Sequence, residues 1–401
     1  MNSNRFSRRS LMQATGAVAG GLAASRLTGQ GLLSHTAFGQ VAIEKPALLC
    51  IFLNGGYNSV FCSADSYAGA GTFGVTAGNQ KALANGLVID APTYGTLPQY
   101  ALDHMATVGI RHGITSHGAA EAADFSDGTR SYALRLAALM GGDGALKAIN
   151  AGSQMMPGPR PAESGVSLQS ITDMKSTIAA LGGATDPTIP DRGIAVSGMT
   201  AAQTMSADRM AKNPIMLTSV RDGFVSGIDT LSKPVQPFNY GAMATAYGMA
   251  PTATAVSTFT NKMACAELMI TAGANFVVAV DGGWDTHGDT TANNVRNMMT
   301  TRILPPLKVF INRMMNLPDR NVVVAIFGDF ARSLPGSDHA SALSGTVIGK
   351  YVKVGTTGKM AANVQLPAGT PAVPGWWAYL ASALKVPANP FGVNPHPTIL
   401  L

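Results

Sequence analysis

The sequence predicts an α/β fold, with a mostly parallel central sheet covered by helices on both faces. Three observations carry that prediction. Hydrophobic residues make up 46% of the 401 positions and charged residues 12%, which is ample material for one large core and too little charge for a disordered chain. Four apolar runs, at 46–53, 105–110, 274–281 and 320–329, are continuous, as in strands buried on both faces. Stretches of helical character separate them, the order expected of a sheet wound with helices. The 45 Gly and 23 Pro add turns and long loops.

The first 39 residues stand apart from any fold argument. They contain "SRRSLMQATGAVAGGLAAS", with Arg8 and Arg9 ahead of an Ala/Gly-rich stretch interrupted by Gln13 and Thr15. Such a stretch is too short and too broken for a stable membrane span. It resembles a twin-arginine export signal, with Leu11 and Met12 at the Phe-Leu positions and Gln13 in place of Lys. Ala37 and Gly39 offer small residues for cleavage, so the mature chain is expected to begin at Gln40. The expected partner is the twin-arginine export machinery, and the expected location is the periplasm or cell envelope. Without Arg5, Arg8, Arg9 and Arg26 the chain keeps 24 of its 28 basic residues against 22 acids, a net of +2 in place of +6. No basic run with interleaved aromatics remains, so no nucleic-acid partner is expected.

Residues 40–401 read as a single domain. Helices are expected over 130–140, 167–181, 260–272, 294–316 with a break at Pro305 and Pro306, and 376–384. The Gly, Pro, Met and Thr-rich region 150–251 is weakly periodic and reads as a helical insertion or cap. The tail after Gly349 reads as irregular up to its late helix. Cys50 and Cys265 lie in apolar runs and read as core; a Cys50–Cys62 bridge would need chain reversal within eleven residues.

In an open parallel sheet, ligand sites lie at the carboxyl ends of strands. Three such ends carry polar clusters: "NGGYNSV" (54–60), "DGGWDTHGD" (281–289) and "GDFARSLPGSDHA" (328–340). In "GITSHGAAEAA" (113–123), Thr115 and Ser116 fall at a helix start beside His117. Converging carboxylates and imidazoles suit a divalent cation, since ionised Asp supplies charge and neutral imidazole supplies nitrogen. Acids left together need something positive among them. On residue types alone Arg332 serves as well, pairing with Asp285 and Asp338 while the histidines donate to carbonyls.

"WDTHGD", "FGDFARS" and "SDHA", in this order behind a twin-arginine signal, resemble domain-of-unknown-function family 1501, exported proteins of alkaline-phosphatase-like and sulfatase-like fold. The resemblance covers 48–58 and, most strongly, 276–349. It implies a metal-dependent hydrolase of a phosphate or sulfate ester, with a divalent metal (Zn, Mn, Ca or Mg) and an anionic small molecule or ester as substrate. It implies metal ligation by Asp285, His287, Asp338 and His339, with Asp329 where the family commonly has Glu. Arg332 would bind an anionic oxygen by its planar fork. Ser116 would be the nucleophile at a helix N-terminus, and His117 a ligand or acid/base group. Two positions depart from the family pattern. Asn58 stands where an Asp ligand is expected, offering an oxygen without charge, and Ser341 replaces the second His of an Asp-His-Gly-His segment. His396 is a replacement ligand only if the tail returns to the site. The departures fit a single-metal site, or a non-catalytic cell-envelope binding or structural protein that uses the same cleft.

Overall fold

The computed structural model describes residues 44–56, 78–142, 144–180, 192–212, 223–225, 228, 240–332, 338–357 and 369–401. Asn58, Cys62 and the whole 1–39 segment lie outside the described residues. Strand β1 (Lys45–Leu53) is the middle of the main sheet. Ala47 to Leu53 are all apolar and all buried, and successive strand residues face opposite sides, so both faces are covered. In chain order follow β2 (Gln80–Ala82), β3 (Val88–Asp90), β4 (Met105–Arg111), β5 (Ala148–Ala151), β6 (Leu168–Ile171), β7 (Phe276–Asp281), β8 (Arg320–Gly328), β9 (Ala342–Gly349) and β10 (Gly355–Thr356). The main sheet runs β10-β4-β9-β8-β1-β7-β5-β6, and β2 pairs with β3 apart from it.

The expected α/β class holds, but the sheet is mixed. From β8 through β1, β7 and β5 to β6 every pairing is parallel. β9 runs antiparallel to both β8 and β4. Its sequence, ALSGTVIG, lacks the unbroken bulky run that announces the other central strands. Gly345 is required there, because a Cβ would come within 2.5 Å of the Trp376 ring.

The helices are α1 (Gln99–Asp103), α2 (His117–Phe125), α3 (Tyr132–Leu139), α4 (Met174–Ala180), α5 (Arg192–Lys212), α6 (Tyr240–Ala246), α7 (Phe259–Thr271), α8 (Asn293–Met298), α9 (Leu304–Met314) and α10 (Val373–Ala383). On one face of the sheet, Phe52 of β1 and Phe327 of β8 meet Phe125 of α2 at 5.1 and 5.3 Å between ring centres. Trp376 of α10 completes that cluster, 5.5 Å from Phe327. Elsewhere α7 packs along β7 and is tied to α9 by a bidentate Arg313–Glu267 pair. The residues from Lys45 onward form one compact unit.

Two expected helices differ in detail. Over 167–181 the chain first forms β6 beside β5, and the helix starts only after Asp173, whose Oδ1 accepts the Ser176 N–H. Residues 168–171 therefore belong to the main sheet. Pro305 and Pro306 do not break their helix. They occupy the first turn of α9, where a missing N–H is harmless, and the irregularity is a π turn at Met299–Ile303. Cys50 and Cys265 are buried thiols, and burial pushes Cys265 up to about 12. No helix among the described residues is long and apolar enough to cross a membrane.

Candidate functional site

β1, β7 and β8 are mutually parallel, so the loops that follow them gather at one rim of the sheet. β4 is antiparallel to β9, and β9 to β8, so β4 also ends at this rim and leads into α2. The reversed β9 begins there, which delivers residues 338–341 to the same place. Five chain segments thus converge.

Glycines allow their close approach. At Gly55 (φ +123°) a Cβ would fall 2.3 Å from the Asp285 backbone nitrogen, and at Gly56 (φ +74°) a Cβ would strike the Phe330 ring. Trp284 N–H donates to Asn54 O at 3.1 Å, fixing the 282–289 loop against the end of β1. Beneath it Asp281 is a structural anchor, accepting the Trp284 indole N–H at 2.8 Å and pairing with Arg302. Asp289 is another, its Oδ2 accepting the Val295 N–H at the start of α8.

Between these anchors, His117, Asp285, His287 and His339 bring one nitrogen or oxygen each to within 4.8 Å of one another. His117 Nδ1 bonds Asp329 Oδ2 at 2.6 Å, and its Nε2 faces Asp285 Oδ2 at 3.6 Å. His339 Nδ1–H donates to Thr115 O at 2.6 Å, which leaves its Nε2 as a lone pair 2.8 Å from His287 Nε2. His287 Nε2 in turn lies 3.5 Å from Asp285 Oδ1. All three imidazoles turn Nε2 inward. Burial lowers the His339 pKa, and the nearby His117, Arg332 and His287 push the same way. A neutral ring nitrogen is the form that ligates metal.

Asp329 lies behind this cluster. It is fully buried, and its Oδ1 accepts the Gly55 N–H at 3.1 Å. Its carbonyl accepts from His112 Nε2–H, a tautomer fixed because His112 Nδ1 accepts the Ile114 N–H. Orienting a ligating imidazole through its other nitrogen is the usual task of such a carboxylate. Arg332, also without exposed surface, donates Nε to Gly56 O at 2.7 Å and Nη2 to Gly55 O at 2.8 Å, and pairs with Asp285 Oδ1. It therefore ties the ends of β1, β7 and β8 together. Asp338 is exposed and outside the four-residue cluster. Ser116 is exposed at the N-cap of α2, and its side chain makes no capping bond. His396 packs near Tyr379 in the tail, outside the cluster.

Two acids on α2 escaped the sequence reading. His117, Glu121 and Asp124, spaced for one helical face, turn toward Asp329, and His117, Glu121 and Asp329 form a second tight group. Burial first and Asp329 second raise the Glu121 pKa; the same two causes raise Asp124 further, and its Oδ2 has no hydrogen-bond partner. An acid raised in the fold contributes stability below its unfolded pKa of about 4 and loses it as pH rises through the folded value. Asp124→Asn is therefore expected to flatten the loss of Tm as pH rises above about 4, measured by thermal melts from about pH 4 upward. An unchanged slope would show that Asp124 is not the group responsible.

A cavity of about 420 Å³ opens beside the cluster, lined by Asp285, Thr286, His287, Gly288, Asp289 and Asn294. Residues 236–365 match the model of a family described as "Protein of unknown function (DUF1501)". That span carries Asp285, His287, Asp329, Arg332, Asp338 and His339, so the likeness to family 1501 is borne out over those residues. No curated protein matches the chain.

Proposed function

We propose that this chain is an exported, metal-dependent ester hydrolase whose metal is held by His117, Asp285, His287 and His339. The observation that carries the reading is the convergence of three Nε2 atoms and one carboxylate, with two of the rings anchored through Nδ1. Three nitrogens and one oxygen are a borderline donor set. Calcium and magnesium take oxygen ligands, so among Zn, Mn, Ca and Mg the residues favour zinc. A bound zinc ion would supply Lewis acidity and lower the pKa of a water. Around it, Asp329 holds the His117 ring, Thr115 O holds the His339 ring, and Phe330 backs both rings at 4.8 and 4.3 Å. Ser116, exposed beside His117 at the start of α2, is the side-chain nucleophile that this arrangement would use. The family resemblance supports ester hydrolysis as the reaction class, and phosphate or sulfate esters are what it implies on its own, before the charge of the rim is weighed. Arg8 and Arg9 with the small residues before Gln40 support export to the periplasm or cell envelope.

The test is elemental analysis and zinc titration of the purified mature protein. Near-stoichiometric zinc is expected, weakened at least about tenfold in His287→Ala, whose ring is a half-exposed loop ligand. Protein that takes up no zinc, manganese, calcium or magnesium would refute the metal centre. Protein that binds zinc but hydrolyses no ester would leave the non-catalytic envelope binding protein as the better reading.

A further inference from the structure

We infer that the substrate of this centre is an uncharged carboxylic ester carried on a hydroxyl-bearing group, and not a phosphate or sulfate monoester; the inference rests on the metal-centre reading above. The first ground is charge. The described rim loops, 112–121, 282–294, 329–332 and 338–341, hold five acids, Glu121, Asp285, Asp289, Asp329 and Asp338, and, beside four histidines, one arginine, Arg332, and no lysine. A divalent ion with Arg332 brings three positive charges against five carboxylates. The rim stays acidic even if Glu121 keeps its proton. A dianionic monoester would enter against that field, in a partly buried setting where like charges weigh more than in water.

The second ground is geometry. Arg332 has no exposed surface, and its Nε and Nη2 hydrogens go to Gly56 O, Gly55 O and Asp285. It presents no fork to a phosphoryl or sulfuryl oxygen. The basic residues nearest in sequence are engaged elsewhere. Arg296 pairs with Asp90 and Arg302 with Asp281, while Arg111 lines a different cavity with Ala119, Ala122 and Val373.

The third ground is the lining of the cavity. Asp289 and Asn294 offer acceptor oxygens at the wall of a space of about 420 Å³. Acceptors of this kind recognise hydroxyl donors, and the volume is within the range of small-molecule sites. Hydrolysis of a carboxylic ester balances with water alone. Ser116 Oγ bonds the carbonyl carbon, the bond from that carbon to the alcohol oxygen breaks, and the hydroxyl proton of Ser116 goes to the departing alcohol; water then bonds the same carbon, the bond to Ser116 Oγ breaks, and one proton of that water returns to Ser116. The products are one carboxylic acid and one alcohol.

Calorimetric titration of inorganic phosphate and inorganic sulfate into the mature protein, with and without zinc, tests the charge argument. Dissociation constants above about 1 mM are expected in both states, and tighter binding of either anion would overturn the inference. Zinc-loaded protein should hydrolyse para-nitrophenyl acetate at least about tenfold faster than para-nitrophenyl phosphate, para-nitrophenyl sulfate or bis(para-nitrophenyl) phosphate. The reverse order, or no hydrolysis of the acetate, would overturn the substrate class while leaving the metal reading in place. Asn294→Lys adds a cation at an exposed position and should tighten phosphate at least about tenfold; no tightening would show that charge is not what excludes the anion. Failure to bind zinc would sink the metal reading, and the phosphate titration of the metal-free protein would still report on the charge of the cavity.

Discussion

Asp329→Ala is expected to weaken zinc binding by about 10–100-fold and to cost about 2–3 kcal/mol of stability. Both effects come from one buried carboxylate. Its Oδ2 takes the His117 Nδ1 and its Oδ1 takes the Gly55 N–H, so truncation frees a ring that must stay oriented and leaves a buried donor unmet. Asp329→Asn separates the two effects. The amide oxygen can still accept from Gly55, while the amide NH₂ must then face His117 Nδ1. That forces the ring proton onto Nε2, where it blocks ligation. The Asn variant should keep most of the urea stability and lose zinc affinity nearly as far as the Ala variant. Retention of zinc affinity in Asp329→Asn would mean that His117 is not a ligand.

Arg332→Met is expected to destabilise the fold by about 3–4 kcal/mol, measured by urea unfolding. Methionine fills much of the space, so the loss reports hydrogen bonds more than packing. Gly55 O and Gly56 O lose their donors, and Asp285 loses its pair. Arg332→Lys should recover only part of the loss, because a single ammonium cannot serve Gly55 O, Gly56 O and Asp285 in the geometry of a planar fork. A Met variant as stable as the parent would remove Arg332 from the architecture of the rim and return it to consideration as an anion-binding group.

Much of the fold was legible because the signals are local. The run PALLCIFL could only be a strand hidden on both faces, and it is. The ends of β7 and β8 likewise announced their polar loops. What the sequence hid was direction and partnership. A strand of small residues such as β9 has no local mark for running backwards, since orientation is settled by what lies beside it. Asp285, His287 and His339 were legible as a group because motif spacing sets them at strand ends. Glu121 and Asp124 were not, although their spacing from His117 on a helix was available, because in an alanine-rich segment they pass for solvated acids. The burial of Arg332 was equally invisible: the motif places the residue but does not say whether its fork faces solvent or the carbonyls of Gly55 and Gly56.

The short antiparallel bridge between Arg332 and His339 has a consequence for how this rim can change over generations. It holds the two residues backbone to backbone, so that His339 takes its place from the buried Arg332. An added residue between His339 and Ala342 undoes that placement: it shifts the pairing register and turns the imidazole away from its neighbours. A change of chain length at that point is therefore ruinous to the rim even though it removes no ligand.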